Sequence, residues 1–138
     1  MSTSWVSDRQ TTIYSRVKGI LSSKLSKKYD SFLITEDNTT PTNAVFPTVY
    51  ITFIGMTERG QTLEGTTINA VTMTAEVHIK TSKAQGMIDN RDIAWDVVEA
   101  FKSIGFATTM PNLPTSNLDG VYESVSRFSR LVAQGDTI

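Results

Sequence analysis

The sequence predicts an α+β domain in which two main helices pack on one face of a largely antiparallel sheet with a long β-hairpin. Three observations predict this class. Two segments carry apolar residues at helical spacing, one ten-residue segment alternates strictly between apolar and polar side chains, and a long hairpin lies between the two helices. A chain of 138 residues suits one domain, so we expect residues 1–138 to form a single unit.

The first periodic segment predicts a helix from about Asp8 to Tyr29. Its apolar residues recur every four positions, at Ile13, Val17, Leu21 and Leu25. Ser7 followed by Gln10 has the form of a capping box, so we expect the helix to begin there. Off this stripe lie four basic residues, Arg16, Lys24, Lys27 and Lys28. They are interpreted as a solvated helix end, with an acidic or phosphate partner as the alternative.

A polar connector over residues 30–46 leads to the predicted hairpin. Residues 47–55 are rich in β-branched and aromatic side chains, which is typical of a strand. From Val71 to Lys80 the odd positions are apolar and the even positions polar, which predicts a strand with one face in the core and one in water. The polar segment 56–64 between them, with Gly60 at its middle, is interpreted as the tip of the hairpin.

The length of this hairpin carries a further expectation. Counted from Thr66 to Ser82, its second strand would extend over roughly 55 Å at about 3.3 Å per residue. A compact domain of this size is only roughly 37 Å across. The hairpin must therefore either bend or extend beyond the domain, and we expect its outer end to project and to need a partner.

A second helix is predicted over about Asp89 to Ile104, followed by Gly105 in a left-handed position and Phe106 as the hydrophobic contact of a Schellman ending. Residues 108–120 contain two prolines and are interpreted as a loop. The last strand is expected from Val121 to about Ala133, with a bulge or bend because its apolar residues break a simple alternation.

Composition and motifs exclude several classes of chemistry. The chain has no cysteine, which excludes disulfides and thiolate metal sites, and its net charge of −1 argues against a nucleic-acid binder that relies on bulk positive charge. No apolar run approaches the roughly 20 residues of a membrane span, and the N-terminus has no signal-peptide layout, so we expect a soluble protein that is intracellular or belongs to a particle assembled inside a cell. We expect no cofactor and no metal.

The individual residues that could carry chemistry also have structural or contact interpretations. His78, the only histidine, is interpreted as a solvent-facing or interface residue, because nothing in the sequence specifies further metal ligands. Asp89, Asp92 and Asp96 share one helix face, where acids near a helix N-terminus are commonly structural. Trp95 lies opposite the apolar stripe of its helix; we expect it to pack within the subunit, with contact to a partner as the alternative.

The order of these segments resembles small neck proteins of tailed phages. The resemblance rests on the Pro-led strand Phe46-Pro-Thr-Val-Tyr-Ile, the strand Ala75-Glu-Val-His-Ile79, the helix containing Ala94-Trp-Asp-Val-Val98 and ending in Gly105-Phe106, and the final strand that closes in Gly135-Asp136. The chain looks most like the tail terminator, or tail completion, family and its minor capsid and head–tail joining relatives. The likeness covers nearly the whole chain as an arrangement of elements and has no invariant signature.

The resemblance implies a structural virion protein without catalytic residues. Such proteins form a homo-oligomeric ring, usually a hexamer, on the head-proximal end of the tail tube, where they end tube polymerisation and receive the head connector. The implied partners are a second copy of the chain, the tail tube protein and a head-completion or connector protein, without membrane or sequence-specific nucleic acid, although the lumen leaves a path for DNA. The implied location is the virion tail or neck, after assembly in the host cytoplasm.

Five residues are candidates for inter-subunit or tube contacts: Glu58, Arg59 and Leu63 at the hairpin tip, and Arg127 and Arg130 in the last strand. Two alternatives to a tail terminator stay open. One is a head-completion or stopper protein of the same particle, and the other is a small ligand-binding or hydrolytic α+β domain.

Overall fold

The computed structural model describes residues 4–36, 45–61, 68–118 and 120–138; for residues 4, 58–61, 68–69 and 116–118 it describes the backbone alone. In chain order the elements are α1 (Ser4–Leu25), β1 (Leu33–Thr35), β2 (Thr48–Gln61), β3 (Ile68–Ser82), α2 (Gly86–Ser103), β4 (Ala107–Leu118) and β5 (Val121–Ala133). The fold is α+β, with two helices and a mostly antiparallel five-stranded sheet, as predicted.

The strands lie in the order β1-β2-β3-β5-β4, so β1 and β4 form the two edges of the sheet. The β2–β3 hairpin, the β3–β5 pair and the β4–β5 pair are all antiparallel. β1 runs parallel to β2, and its Leu33 amide donates to the Pro47 carbonyl at 3.0 Å. This three-residue strand lies inside the segment that was predicted to be a connector, and it was missed.

The alternation of β3 decides which face of the sheet the helices cover. Its odd-numbered residues from Val71 to Ile79 are buried, and they pack with the apolar residues of both helices in one core that includes Val71, Met73, Ala75, Val77, Ile79, Ile13, Val17, Leu21, Ile93, Val97 and Phe101. Its even-numbered residues from Thr72 to Lys80 are only half-buried. Both helices therefore pack on the same face of the sheet, as the sequence predicted.

Helix α1 begins earlier than the capping-box prediction placed it. It begins at Ser4, so Ser7 and Gln10 lie inside the helix, and the Ser7 carbonyl accepts a hydrogen bond from the Thr11 hydroxyl at 3.2 Å. The physical reason is that Val6 is buried and Trp5 packs against the core, so the extra turn removes apolar surface from water.

Helix α2 ends as predicted. Gly105 has a φ of 87°, its amide donates to the Lys102 carbonyl at 3.0 Å, and the Phe106 amide donates to the Phe101 carbonyl at 3.0 Å. These are the two hydrogen bonds of a Schellman motif, and the Phe101 and Phe106 rings are 5.3 Å apart in an edge-to-face contact. The Phe101 ring also stacks on Phe128 of β5 at 4.5 Å, which holds the end of α2 against the sheet.

The segment 108–120 is not a loop, because most of it forms the edge strand β4. Pro111 and Pro114 had suggested a loop, yet an edge strand pairs on one side only and tolerates residues without an amide proton. The register against β5 shifts three times, between Thr108 and Met110, between Met110 and Leu113, and between Pro114 and Ser116, with the additional residue in β4 each time. The bulges accommodate the two prolines, because they lie where the regular pairing of β4 with β5 is interrupted.

The expected bulge in the last strand is absent from β5 as it pairs with β3. The register between the two is continuous from Ala70–Ala133 to Ser82–Val121. The apolar residues of β5 break the alternation for another reason: Phe128 and Val132 face the core, whereas Leu131 is 57% exposed on the opposite face. Within the hairpin, the register of β2 against β3 shifts between Phe53 and Gly55.

The described part of the hairpin does not project alone from the domain. β5 accompanies β3 as far as Ala70, so only the last two described residues of β3, Ile68 and Asn69, extend beyond that pairing. From Ala70 to Lys80, β3 has a strand on each side, with β2 and β5 both paired to it. The connection at 62–67 lies outside the described residues.

Candidate functional site

The sheet face opposite the helices is the first candidate surface, and we call it the open sheet face. It carries the even-numbered residues of β3 from Thr72 to Lys80, together with their partners Glu123, Val125, Arg127, Ser129 and Leu131 on β5. Tyr50 and Thr52 of β2 lie opposite His78 and Glu76 on the same face.

Charged side chains pair across the middle of the open sheet face. Glu76 accepts hydrogen bonds from the Nε of Arg127 at 2.8 Å and from the Nε2 of His78 at 2.6 Å. On the other side, Glu123 lies 3.6 Å from the Lys80 amine and 3.8 Å from the His78 ring. Burial alone would raise the pKa of Glu76, but the hydrogen bonds from His78 and Arg127 together outweigh it, so the pKa of Glu76 is lowered.

Around this charged centre the described side chains of the open sheet face carry no charge. The Tyr50 and His78 rings are 5.7 Å apart, and the Thr74 and Ser129 hydroxyls share a hydrogen bond of 3.0 Å. Large apolar residues of three strands stay exposed in the folded chain: Ile54 of β2 (45%), Leu113 of β4 (48%) and Leu131 of β5 (57%). Paired charges surrounded by hydroxyls and exposed apolar side chains suit contact with another protein surface.

The second candidate surface is a groove between α2 and β4, which we call the α2–β4 groove. It has a volume of about 410 Å³ and is lined by Arg91, Ala94, Trp95, Val98, Lys102, Thr108, Pro111 and Asn112. Trp95 is 68% exposed, so the expectation that it packs within the subunit is wrong. It lies on the outer flank of α2 beside β4, away from the core stripe that holds the helix on the sheet.

The acidic flank of α2 binds two lysines, Lys24 near the end of α1 and Lys28 just beyond it. The Lys28 amine is 2.9 Å from a carboxylate oxygen of Asp92 and 2.9 Å from one of Asp96, and the Lys24 amine is 2.7 Å from Glu99. The hydrogen bonds to Asp92 and Asp96 raise the pKa of Lys28. The basic end of α1 therefore has an acidic partner within its own domain, and Asp92 and Asp96 have the structural role that the sequence favoured.

The five candidate contact residues are not brought together by the described fold. Glu58 and Arg59 pair with Val71 and Ala70 in the backbone register of β2, and their side chains lie outside the described ones, as does all of Leu63. Arg127 is on the open sheet face, where it binds Glu76.

Arg130 lies on the opposite face of β5 from Arg127, because it pairs with the buried Met73. Its guanidinium is 3.5 Å from Asp136, and a Cβ at Gly105 would lie 3.0 Å from its Nε. These contacts give Arg130 partners within its own chain at the end of α2.

The α2–β4 groove was missed by sequence reasoning. Its strongest signal was present, since Trp95 lies opposite the apolar stripe of α2. The prediction failed because the other wall of the groove, β4, had been interpreted as a loop, so no surface was expected beside that tryptophan.

Two further observations concern the parts of the chain that the structure describes. Neither described helix is long and apolar enough to cross a membrane. Among the described residues, no three His, Asp or Glu side chains are grouped so that they could hold a metal ion.

Comparison with known proteins gives no family assignment. No protein-family model matches the chain, and no curated protein matches it. The function is therefore inferred from the two surfaces and from the order of elements along the chain.

Proposed function

We propose that the protein is a structural component of a phage virion that forms a ring on the head-proximal end of the tail tube. In this role it ends polymerisation of the tube and offers a docking surface to the head connector. Its partners are further copies of itself, the tail tube protein and a connector protein.

The observation that carries the proposal is the asymmetric covering of the sheet. Helices cover one face, while the open sheet face holds Ile54, Leu113 and Leu131 exposed around paired charges. Large apolar side chains that are exposed together on one face of a domain are typical of contact sites with other proteins. A sheet face with these side chains suits contact with a neighbouring subunit or the end of a tube.

The α2–β4 groove supports the same role, because it gives the subunit a second contact surface. The groove lies at the β4 edge beside α2, whereas the open sheet face is on the side of the sheet away from both helices. A ring subunit on a tube needs two complementary patches for its two neighbours and a further surface for the tube, and the groove can be one of these.

Deletion of the gene from the phage genome tests the proposal. We expect particles with tails much longer than normal, because nothing ends polymerisation of the tube, and electron microscopy measures their length. A plasmid copy of the wild-type gene should restore the normal length. A matched plasmid that carries Leu131→Glu, a charge placed on the open sheet face, should restore it poorly if that face meets the tube.

The same micrographs separate the alternatives. Tails of normal length beside heads that leak DNA would contradict a terminator and favour a stopper on the head side. Particles of normal form and infectivity would exclude a structural role in the particle and leave the ligand-binding or hydrolytic class.

A further inference from the structure

The outer flank of α2 carries an apolar and basic stripe that is mostly exposed; of its members only Val98 packs partly against the core. Ile88, Arg91, Trp95, Val98 and Lys102 follow one another at spacings of three and four residues, so they share one face of the helix. Ile88 is 74% exposed and Trp95 68% exposed, two turns apart. All of its members except Ile88 line the helix side of the α2–β4 groove.

The two cations of this stripe have no acidic partner. Neither Arg91 nor Lys102 forms an ion pair with any carboxylate in the part of the chain that the structure describes, since three of the four acids of α2 pair instead with Lys24 and Lys28. The strand on the other side of the groove, Ala107–Leu118, contains no charged residue. The groove therefore suits a protein segment that brings carboxylates beside apolar side chains.

The opposite edge of the sheet has this composition. Residues 30–36, which include the edge strand β1, contain two acids, Asp30 and Glu36, and no lysine or arginine. Asp30 and Glu36 are exposed and form no ion pair with any described residue. Between them lie Phe32 and Leu33, which are half-buried.

The β4 edge is unsuited to the simplest alternative, addition of a foreign strand. Pro111 and Pro114 lack an amide proton, and three bulges interrupt the register of β4. A partner at this edge must therefore bind through side chains, and the groove beside β4 is where apolar and charged side chains are offered together.

We propose that the α2–β4 groove of one copy binds the acidic β1 segment of a second copy, with Arg91 and Lys102 facing Asp30 and Glu36. Because β1 and β4 are opposite edges of the sheet, this contact is heterologous and leaves a free groove at one end and a free acidic segment at the other. Repetition of such a contact gives a ring when the rotation between copies closes. The inference rests on the proposed function and names the neighbour contact within the ring.

Two charge-reversed variants of the full chain test the contact. In Arg91→Glu/Lys102→Glu both surfaces are acidic, and in Asp30→Lys/Glu36→Lys both are basic. Each variant alone should self-associate at least about tenfold more weakly than the wild type, because like charges then face each other. An equimolar mixture should recover association, because every groove then meets a segment of opposite charge. Sedimentation velocity over a range of protein concentrations, at low salt, measures both effects.

Two further variants separate the groove from general effects of charge. Arg16→Glu/Lys18→Glu makes the same change in net charge on the exposed side of α1 and should associate like the wild type. Trp95→Ala should weaken association roughly 30-fold, the effect of losing a tryptophan hot spot. Circular dichroism confirms for each variant that the fold is kept.

The outcomes distinguish this contact from the proposed function. If the wild type assembles and neither reversal weakens it, or if the mixture fails to recover, the contact is overturned while a ring built through another surface remains. If the grooves bind an acidic segment of the connector instead, Arg91→Glu/Lys102→Glu loses the connector but still self-associates, which also overturns the contact. A wild type that stays monomeric on tail tubes as well as in solution overturns both.

Discussion

Asn90 is expected to hold α2, and with it the groove, on the sheet. Its side chain is fully buried within the helix and faces β3 and β5. The Nδ2 donates to the Ile79 carbonyl at 3.0 Å and lies 3.3 Å from both the Thr81 hydroxyl and the Tyr122 carbonyl, while Oδ1 accepts from the Ser124 hydroxyl. One side chain therefore joins three elements.

Replacement of Asn90 by alanine should lower the free energy of unfolding by about 3 kcal/mol. The amide has two protons to donate and accepts one further bond, and each buried hydrogen bond contributes about 1 kcal/mol net. The Ser124 hydroxyl is left buried without its acceptor, which costs about 1 kcal/mol more, and the better helix propensity of alanine offsets less than about 1 kcal/mol. Urea unfolding followed by circular dichroism measures the difference.

A double-mutant cycle sharpens this test. Because Ser124→Ala removes the group that Asn90→Ala leaves unsatisfied, the double variant should be about 1 kcal/mol more stable than the sum of the single effects predicts. Asn112→Ala is the matched control, since Asn112 is only half-buried in β4 and accepts one weak contact from Ser126 at 3.4 Å; it should cost under about 0.5 kcal/mol. An Asn90→Ala loss no larger than this control would refute the anchoring role.

Two other predictions concern stability alone. Because the pKa of Glu76 is lowered in the folded state, its contribution is fully present above its ordinary value of 4.5 and is lost as the pH falls through the lowered pKa. The advantage of the wild type over Glu76→Gln, about 1 kcal/mol at neutral pH, should therefore shrink in urea titrations at acidic pH; a gap that stays constant there contradicts the charge assignment. Gly105→Ala should cost about 1–2 kcal/mol, since φ is 87° and the new Cβ would lie 3.0 Å from Arg130, whereas Gly19→Ala, with nothing within 4 Å in mid-helix, should stabilise by about 0.5–1 kcal/mol. Thermal unfolding compares the two glycines, and equal signs would contradict the strain argument.

Elements whose signals are local could be predicted from the sequence. The strict alternation of β3 places its apolar face in the core without reference to any other segment. The end of α2 was equally predictable, because Gly105 and Phe106 supply the conformation and the contact of the motif by themselves. In both cases the residues that specify the structure are neighbours in the chain.

Elements that depend on pairing partners could not be predicted in this way. β4 contains Pro111 and Pro114, which are signals for a loop, and it is a strand only because β5 pairs with one of its sides while its bulges accommodate the prolines. β1 has three residues and exists through its parallel contact with β2. The α2–β4 groove needs β4 as its wall, so it was missed together with that strand.

The charges of α2 explain why composition says little about this surface. Arg91 precedes Asp92 and Trp95 precedes Asp96, and adjacent residues on a helix point about 100° apart. The acidic member of each pair binds Lys28, just beyond the end of α1, and contributes to the fold, while the basic or aromatic member faces outward. The net charge of −1 is a sum over the whole chain, so it does not show that the two flanks of α2 carry opposite charges. The outward flank takes no part in the ion pairs that join α2 to the end of α1. Substitutions there can therefore change the choice of partner without changing those ion pairs. This separation allows an assembly surface to evolve on a stable domain.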